Sequence, residues 1–66
     1  MEFVYLLMPN PTSWDDIIVI TTEKEALQAS IDNPTFRVEI FEKRENLVGY
    51  APTRSYYKKG KWIKGK

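Results

Sequence analysis

The chain contains neither histidine nor cysteine. The side chains that most often supply a general base near neutral pH, a nucleophile or a zinc ligand are therefore missing. Carboxylates, phenols and amines remain. Asp15 and Asp16 are the one adjacent carboxylate pair, a candidate for an acid/base couple or an oxygen-ligand metal site. Neighbouring side chains of an extended segment point to opposite sides, whereas hard cations require several converging oxygens, so the pair reads as a solvated boundary between loop and strand. Gly49, Gly60 and Gly65 match neither a P-loop nor a dinucleotide fingerprint. The expectation is a non-enzymatic protein with no cofactor and no metal.

The residues with more to offer are at the C-terminal end. Arg54, Lys58, Lys59, Lys61, Lys64 and Lys66 alternate with Tyr56, Tyr57 and Trp62. Cations that meet phosphates, beside aromatic faces on which bases stack, are the physical recipe for binding single-stranded nucleic acid. The same residues suit a contact with an acidic protein surface, and lysines on an exposed hairpin also discourage strand-to-strand aggregation. Formal net charge is only +1, yet residues 1–50 carry nine acids against four bases, a balance of −5, and residues 51–66 carry six bases and no acid. Such asymmetry points the tail toward something anionic: another molecule, a copy of the chain, or the acidic part of its own fold.

These residues must be positioned by a small core. Sixty-six residues form one domain near the lower limit of independent folding, and its stability rests on a few large side chains. Hydrophobic residues make up 42% of the chain and aromatics 14%, enough to argue against disorder throughout. No stretch approaches the roughly 20 apolar residues of a membrane span, and the N-terminus lacks the pattern of a secretory signal.

Glu2 to Met8 is a nearly unbroken apolar run closed by Pro9-Asn10-Pro11 and reads as a strand buried on both faces. Asp15 to Thr22, with four successive β-branched residues, reads as a second central strand. Thr22-Glu23-Lys24-Glu25 fits a capping box that opens a helix of about ten residues. Its buried face would be Ala26, Leu27, Ser30 and Ile31, and Asn33-Pro34 would stop it. Thr35 to Glu42 alternates, with Phe36, Val38 and Ile40 toward a core and Arg37, Glu39 and Phe41 away from it. Leu47 to Tyr50 reads as a short return strand broken by Ala51-Pro52-Thr53. Ser55-Tyr56-Tyr57 and Lys61-Trp62-Ile63 then flank a three- or four-residue hairpin loop at Gly60.

The expected fold is α+β: a small, mainly antiparallel sheet covered by one short helix. Its parts are a β-β-α-β core with a return strand over residues 1–50 and a basic aromatic hairpin or tail over 51–66, within one domain. Two further aromatics stand out. Trp14 falls in a loop where a large apolar ring is costly to leave in water, and Phe41 lies on the polar side of its strand. With Tyr56, Tyr57 and Trp62 they are the candidate partner-binding residues.

The order of EFVYLLM, DDIIVITT, TEKEALQASI and FRVEIF resembles a class of short viral and bacterial proteins built as strand, strand, helix, strand. The resemblance covers about residues 2–42 and rests on order and apolar pattern. The chain is also similar in style to minor virion components of large DNA viruses, small chains that wedge between larger subunits. That likeness implies an accessory or structural role, in the cytoplasm or in a virion. The primary expectation is thus an interaction or structural protein docking on a larger assembly or on its own copies. One alternative is a nucleic-acid-binding accessory protein using Arg54, Lys58, Lys59, Lys61 and Lys64. Another is an inhibitor whose acidic part, with Asp15, Asp16, Glu39 and Glu42, fills a basic cleft.

Overall fold

The helix begins where the capping residues place it. In the structure, a computed structural model that describes residues 2–9 and 16–65, α1 spans Glu23–Asp32. The Glu25 N–H donates to Thr22 Oγ1 at 3.3 Å, and the Thr22 hydroxyl donates to Glu25 Oε1 at 2.7 Å. The Glu25 carboxylate therefore takes the hydroxyl proton, where a full capping box would have it accept from the Thr22 backbone. Asn33 closes the helix, its backbone N–H and its side-chain amide both donating to the Ala29 carbonyl. Ten residues are too few to hold a helix in water, so α1 depends on what it covers.

It covers one side of a five-stranded antiparallel sheet: β1 (Phe3–Met8), β2 (Ile18–Ile20), β3 (Arg37–Lys43), β4 (Tyr50–Lys58) and β5 (Lys61–Lys64), in the order β2-β1-β3-β4-β5. The sheet is larger than the three strands of a β-β-α-β core because residues 50–58 and 61–64 join it along β3. The registers Tyr5↔Ile40, Leu7↔Val38, Val38↔Tyr57 and Tyr57↔Trp62 put these side chains on one face. Tyr5, Leu7, Val38, Ile40 and Tyr57 are buried there with Ala26 of α1, and Ile20, Leu27, Ala29 and Phe36 pack around them.

Four expectations from the sequence are corrected. β1 is not buried on both faces: Tyr5 and Leu7 are buried, whereas Val4, Leu6 and Met8 on the other face are only half-buried, because one short helix covers one side. The second strand is neither central nor long. It is the three-residue edge strand β2, with Ile18 and Val19 56% and 60% exposed. There is no separate return strand at residues 47–50; Leu47 is exposed, and β4 starts at Tyr50 and runs through Pro52. Finally, Ile31 is exposed although its neighbours Ala26 and Ser30 are buried.

β4 continues past Pro52 by means of a bulge. Glu39 pairs with Tyr56 and Phe41 with Pro52, so Thr53, Arg54 and Ser55 stand opposite Ile40 alone. The Thr53 hydroxyl donates to the Ile40 carbonyl at 2.9 Å and accepts from the Ser55 N–H at 3.1 Å, and Arg54 takes a positive φ of 70°. The bulge adds two residues, so the side-chain alternation of β4 keeps its phase across it. The backbone of Gly65, just past β5, lies so close to the bulge that a Cβ there would collide with the Arg54 carbonyl oxygen.

The β4–β5 loop is two residues, Lys59 and Gly60, with φ of 54° and 77°. The expected loop of three or four residues is thereby shortened to the length that matches strand twist. The turn docks on the helix. Gly60 N–H donates to Ser30 Oγ at 2.9 Å, and the fully buried Ser30 hydroxyl donates to the Leu27 carbonyl at 2.7 Å. A Cβ on Gly60 would stand 2.8 Å from Ile31 Cγ1, so both backbone angle and space select glycine.

Candidate functional site

Antiparallel pairing sorts the residues of the sheet into two sets. The set opposite α1 contains Val4, Leu6 and Met8 of β1, Val19 of β2, Arg37, Glu39, Phe41 and Lys43 of β3, Tyr50, Pro52, Tyr56 and Lys58 of β4, and Lys61 and Ile63 of β5. No described element lies over this face. Leu6 pairs with Val19 and with Glu39, Glu39 with Tyr56, and Tyr56 with Ile63, which makes one row across all five strands. Val4, Phe41 and Pro52 form the next row.

Charged side chains bracket these rows. The Arg37 guanidinium lies over the Tyr56 ring, 3.9 Å from its centroid, while Arg37 Nε stands 3.3 Å from Glu39 Oε2. Lys43 Nζ is 5.7 Å from the Tyr50 ring, and the Tyr50 hydroxyl donates to Glu2 Oε2 at 2.9 Å. That bond to a carboxylate, followed by burial, raises the Tyr50 pKa. Lys58 and Lys61 pair at the far end, beside the tight turn. Four cations thus share the face with Glu2 and Glu39.

The expected site residues are divided by this arrangement. Phe41 and Tyr56 are on the open face, half-buried. Tyr57 belongs to the core, 6% exposed, with its hydroxyl donating to Glu23 Oε2 at 3.0 Å. Burial first, and then that bond and the Glu23 charge, push its pKa up to about 12. Trp62 lies beside Tyr57 on the helix side of the sheet and is 57% exposed. Trp14 and Asp15 lie outside the described residues. Asp16 is exposed, and among the described residues no three carboxylates gather.

The basic residues are dispersed as well. Lys58 and Lys61 are on the open face, Lys59 is in the turn, and Lys64 pairs with Ser55 on the helix side. Arg54 sits in the bulge with contacts of its own. Among the described residues none of Lys58, Lys59, Lys61 and Lys64 makes an ion pair.

Sequence reading missed Leu6, Met8, Val19 and Ile63 as surface residues, and missed Arg37 as the cap of Tyr56. A signal was present: a single ten-residue helix shields one side of a sheet, so apolar residues of both phases in β1 cannot all be covered. No family model, curated protein or solved structure matches the chain. No described helix is long and apolar enough to cross a membrane.

Proposed function

We propose that this chain is a non-enzymatic interaction protein that docks on a larger protein assembly through the open face of its sheet. The observation that supports this reading is a band of half-buried apolar and aromatic residues, Leu6, Phe41, Tyr56 and Ile63 above all, interrupted by the Arg37–Glu39 pair, on a face that no described element covers. Apolar side chains at the centre and cations at the rim are the composition of a contact surface. Arg37, Lys43, Lys58 and Lys61 at the rim favour a partner surface carrying carboxylates, and steer its approach.

The nucleic-acid alternative draws on the same cations. Its stacking platform, however, is already occupied: one face of Tyr56 carries Arg37 at 3.9 Å, and Tyr57 is turned into the core. The protein reading therefore fits better. The inhibitor reading would put Glu39 and Glu42 at the contact, but each is engaged by a neighbouring arginine, Arg37 and Arg44.

The test is affinity capture of the tagged chain from its native source, with and without nuclease, at low and moderate salt. Discrete proteins retained after nuclease are the expected result. Retention of nucleic acid alone, lost with a log–log salt slope of about −0.7 to −0.9 per phosphate contact, contradicts the proposal.

A further inference from the structure

On the opposite side of the sheet, beyond the N-terminal end of α1, Phe3, Tyr5, Ile40, Tyr57 and Trp62 line an open pocket of about 420 Å³ together with Glu23. Four of its six lining residues are aromatic, and the one charged group is a carboxylate. The size falls within the roughly 300–1,000 Å³ of small-ligand sites. We propose that this pocket binds a methylated ammonium cation, of the kind carried by choline or by a trimethylated lysine side chain.

The chemistry follows from the lining. Aromatic faces carry negative quadrupole potential and attract cations, most strongly those that are weakly hydrated. Trimethylammonium is such a cation, since it has no N–H to leave unsatisfied and exposes methyl groups that suit an apolar wall. The Tyr5 and Tyr57 rings, with centroids 6.0 Å apart and planes tilted by 30°, form one shared aromatic wall of the pocket. Tyr57 donates its hydroxyl proton to Glu23, which polarises the ring toward greater electron density.

Glu23 supplies the counter-charge. It forms no ion pair among the described residues, and its negative charge contributes to raising the pKa of both Tyr5 and Tyr57, so its potential reaches two walls of the pocket. As the first residue of α1, Glu23 also offsets the positive end of the helix dipole, which by itself would favour an anion. The same carboxylate repels anionic ligands. Trp62 is more than half exposed and lines the pocket on its solvent side.

The site is independent of the proposed docking face, because Trp62 and Tyr57 point to one side of the sheet and Ile63 and Tyr56 to the other. The test is a titration of the full chain followed by the backbone amide resonances of Tyr5 and Tyr57, which line the pocket. The probes are choline, the neutral carbon isostere of choline bearing a tert-butyl group, and a peptide with lysine or trimethyllysine. The expected result is a saturable shift with choline or the trimethyllysine peptide, at least about tenfold tighter than with the isostere or the unmethylated peptide.

Trp62→Ala should weaken binding by about tenfold, and Glu23→Gln, which keeps an acceptor for Tyr57, by about three- to tenfold. Both variants should leave the backbone spectrum of β1 and β3 in place. Whichever source binds tighter, the free cation or the side chain, identifies the natural ligand class. Equal affinity for the isostere shows a merely apolar pocket and overturns the proposal, as does the absence of any shift with all four probes. A Leu6→Ser/Tyr56→Ser variant, altered only on the docking face, should bind the cation unchanged.

Discussion

Tyr56 and Tyr57 are neighbours in sequence and opposites in structure. Tyr57 points toward α1, is buried against Tyr5 and Val38, and fastens the first turn of the helix through Glu23. Tyr56 points away, lies under Arg37 and borders a face with no described cover. The two residues summarise the two sides of the sheet. One side holds the fold together with a helix, a buried serine and a docked turn. The other mixes half-buried apolar side chains with Arg37, Glu39, Lys43, Lys58 and Lys61 and contributes less to the core. In a chain this small, a single helix cannot serve both sides, and one face of the sheet is left without a described element over it.

The largest expected effect separates the two sides by stability. Ile40→Ala, on the helix side, should cost about 2–5 kcal/mol, a large fraction of the roughly 3–10 kcal/mol available to 66 residues. Leu6→Ala, on the open side and only half-buried, should cost about 1–2 kcal/mol, since less apolar area leaves contact. Urea denaturation of the two variants measures the gap. Equal losses would mean that both faces are core.

The next effect concerns how the hairpin is tied to the helix side. Gly60→Ala places a side chain at φ 77° and against Ile31, and should cost about 1–3 kcal/mol. Ser30→Ala, which leaves the Gly60 N–H without its acceptor, should cost about the same. Amide exchange at Trp62 and Ile63 should accelerate in both variants. If it does not, β5 is held by β4 alone.

A smaller effect is specific to pH. The Tyr57 pKa is raised from its ordinary value of 10.0 to about 12 in the fold, so the folded state favours the protonated phenol. The stabilisation is complete below pH 10 and is lost as pH rises through about 12. Tyr57→Phe should therefore lose less stability between pH 9 and pH 11.5 than the native chain. Urea denaturation of the two proteins at both pH values measures the difference.

Much of the helix side was legible before the structure. The Thr22 cap, the stop at Asn33-Pro34 and the alternation of Val38 and Ile40 against Arg37 and Glu39 are local patterns, decided within a few residues. What the sequence hid depends on contacts between distant parts. Pro52 reads as a strand breaker until the bulge at Thr53–Ser55 is seen to set the register of β4 on β3. The apolar run of β1 reads as doubly buried because its sequence does not record that only one layer will cover it. The pocket of Phe3, Tyr5, Glu23, Ile40, Tyr57 and Trp62 draws on four separate parts of the chain, β1, α1, β3 and the β4–β5 hairpin, which meet only in the folded sheet and helix. Of the aromatic candidates, the placement of Phe41 on the polar side of β3 follows from its phase, whereas which of Tyr56 and Tyr57 faces the core is set by pairing with Val38.

The most direct test of the account is to change the open face without changing the fold. Leu6→Ser/Tyr56→Ser should lower the melting temperature by about 10–30 °C, since two half-buried side chains are lost at about 1–2 kcal/mol each and each kcal/mol shifts it by roughly 4–8 °C in a domain of this size. In nuclease-treated affinity capture below that temperature, the same variant should lose the proteins retained by the native chain. Retention of the same proteins at undiminished yield by the folded variant would contradict the claim that this face is the docking surface.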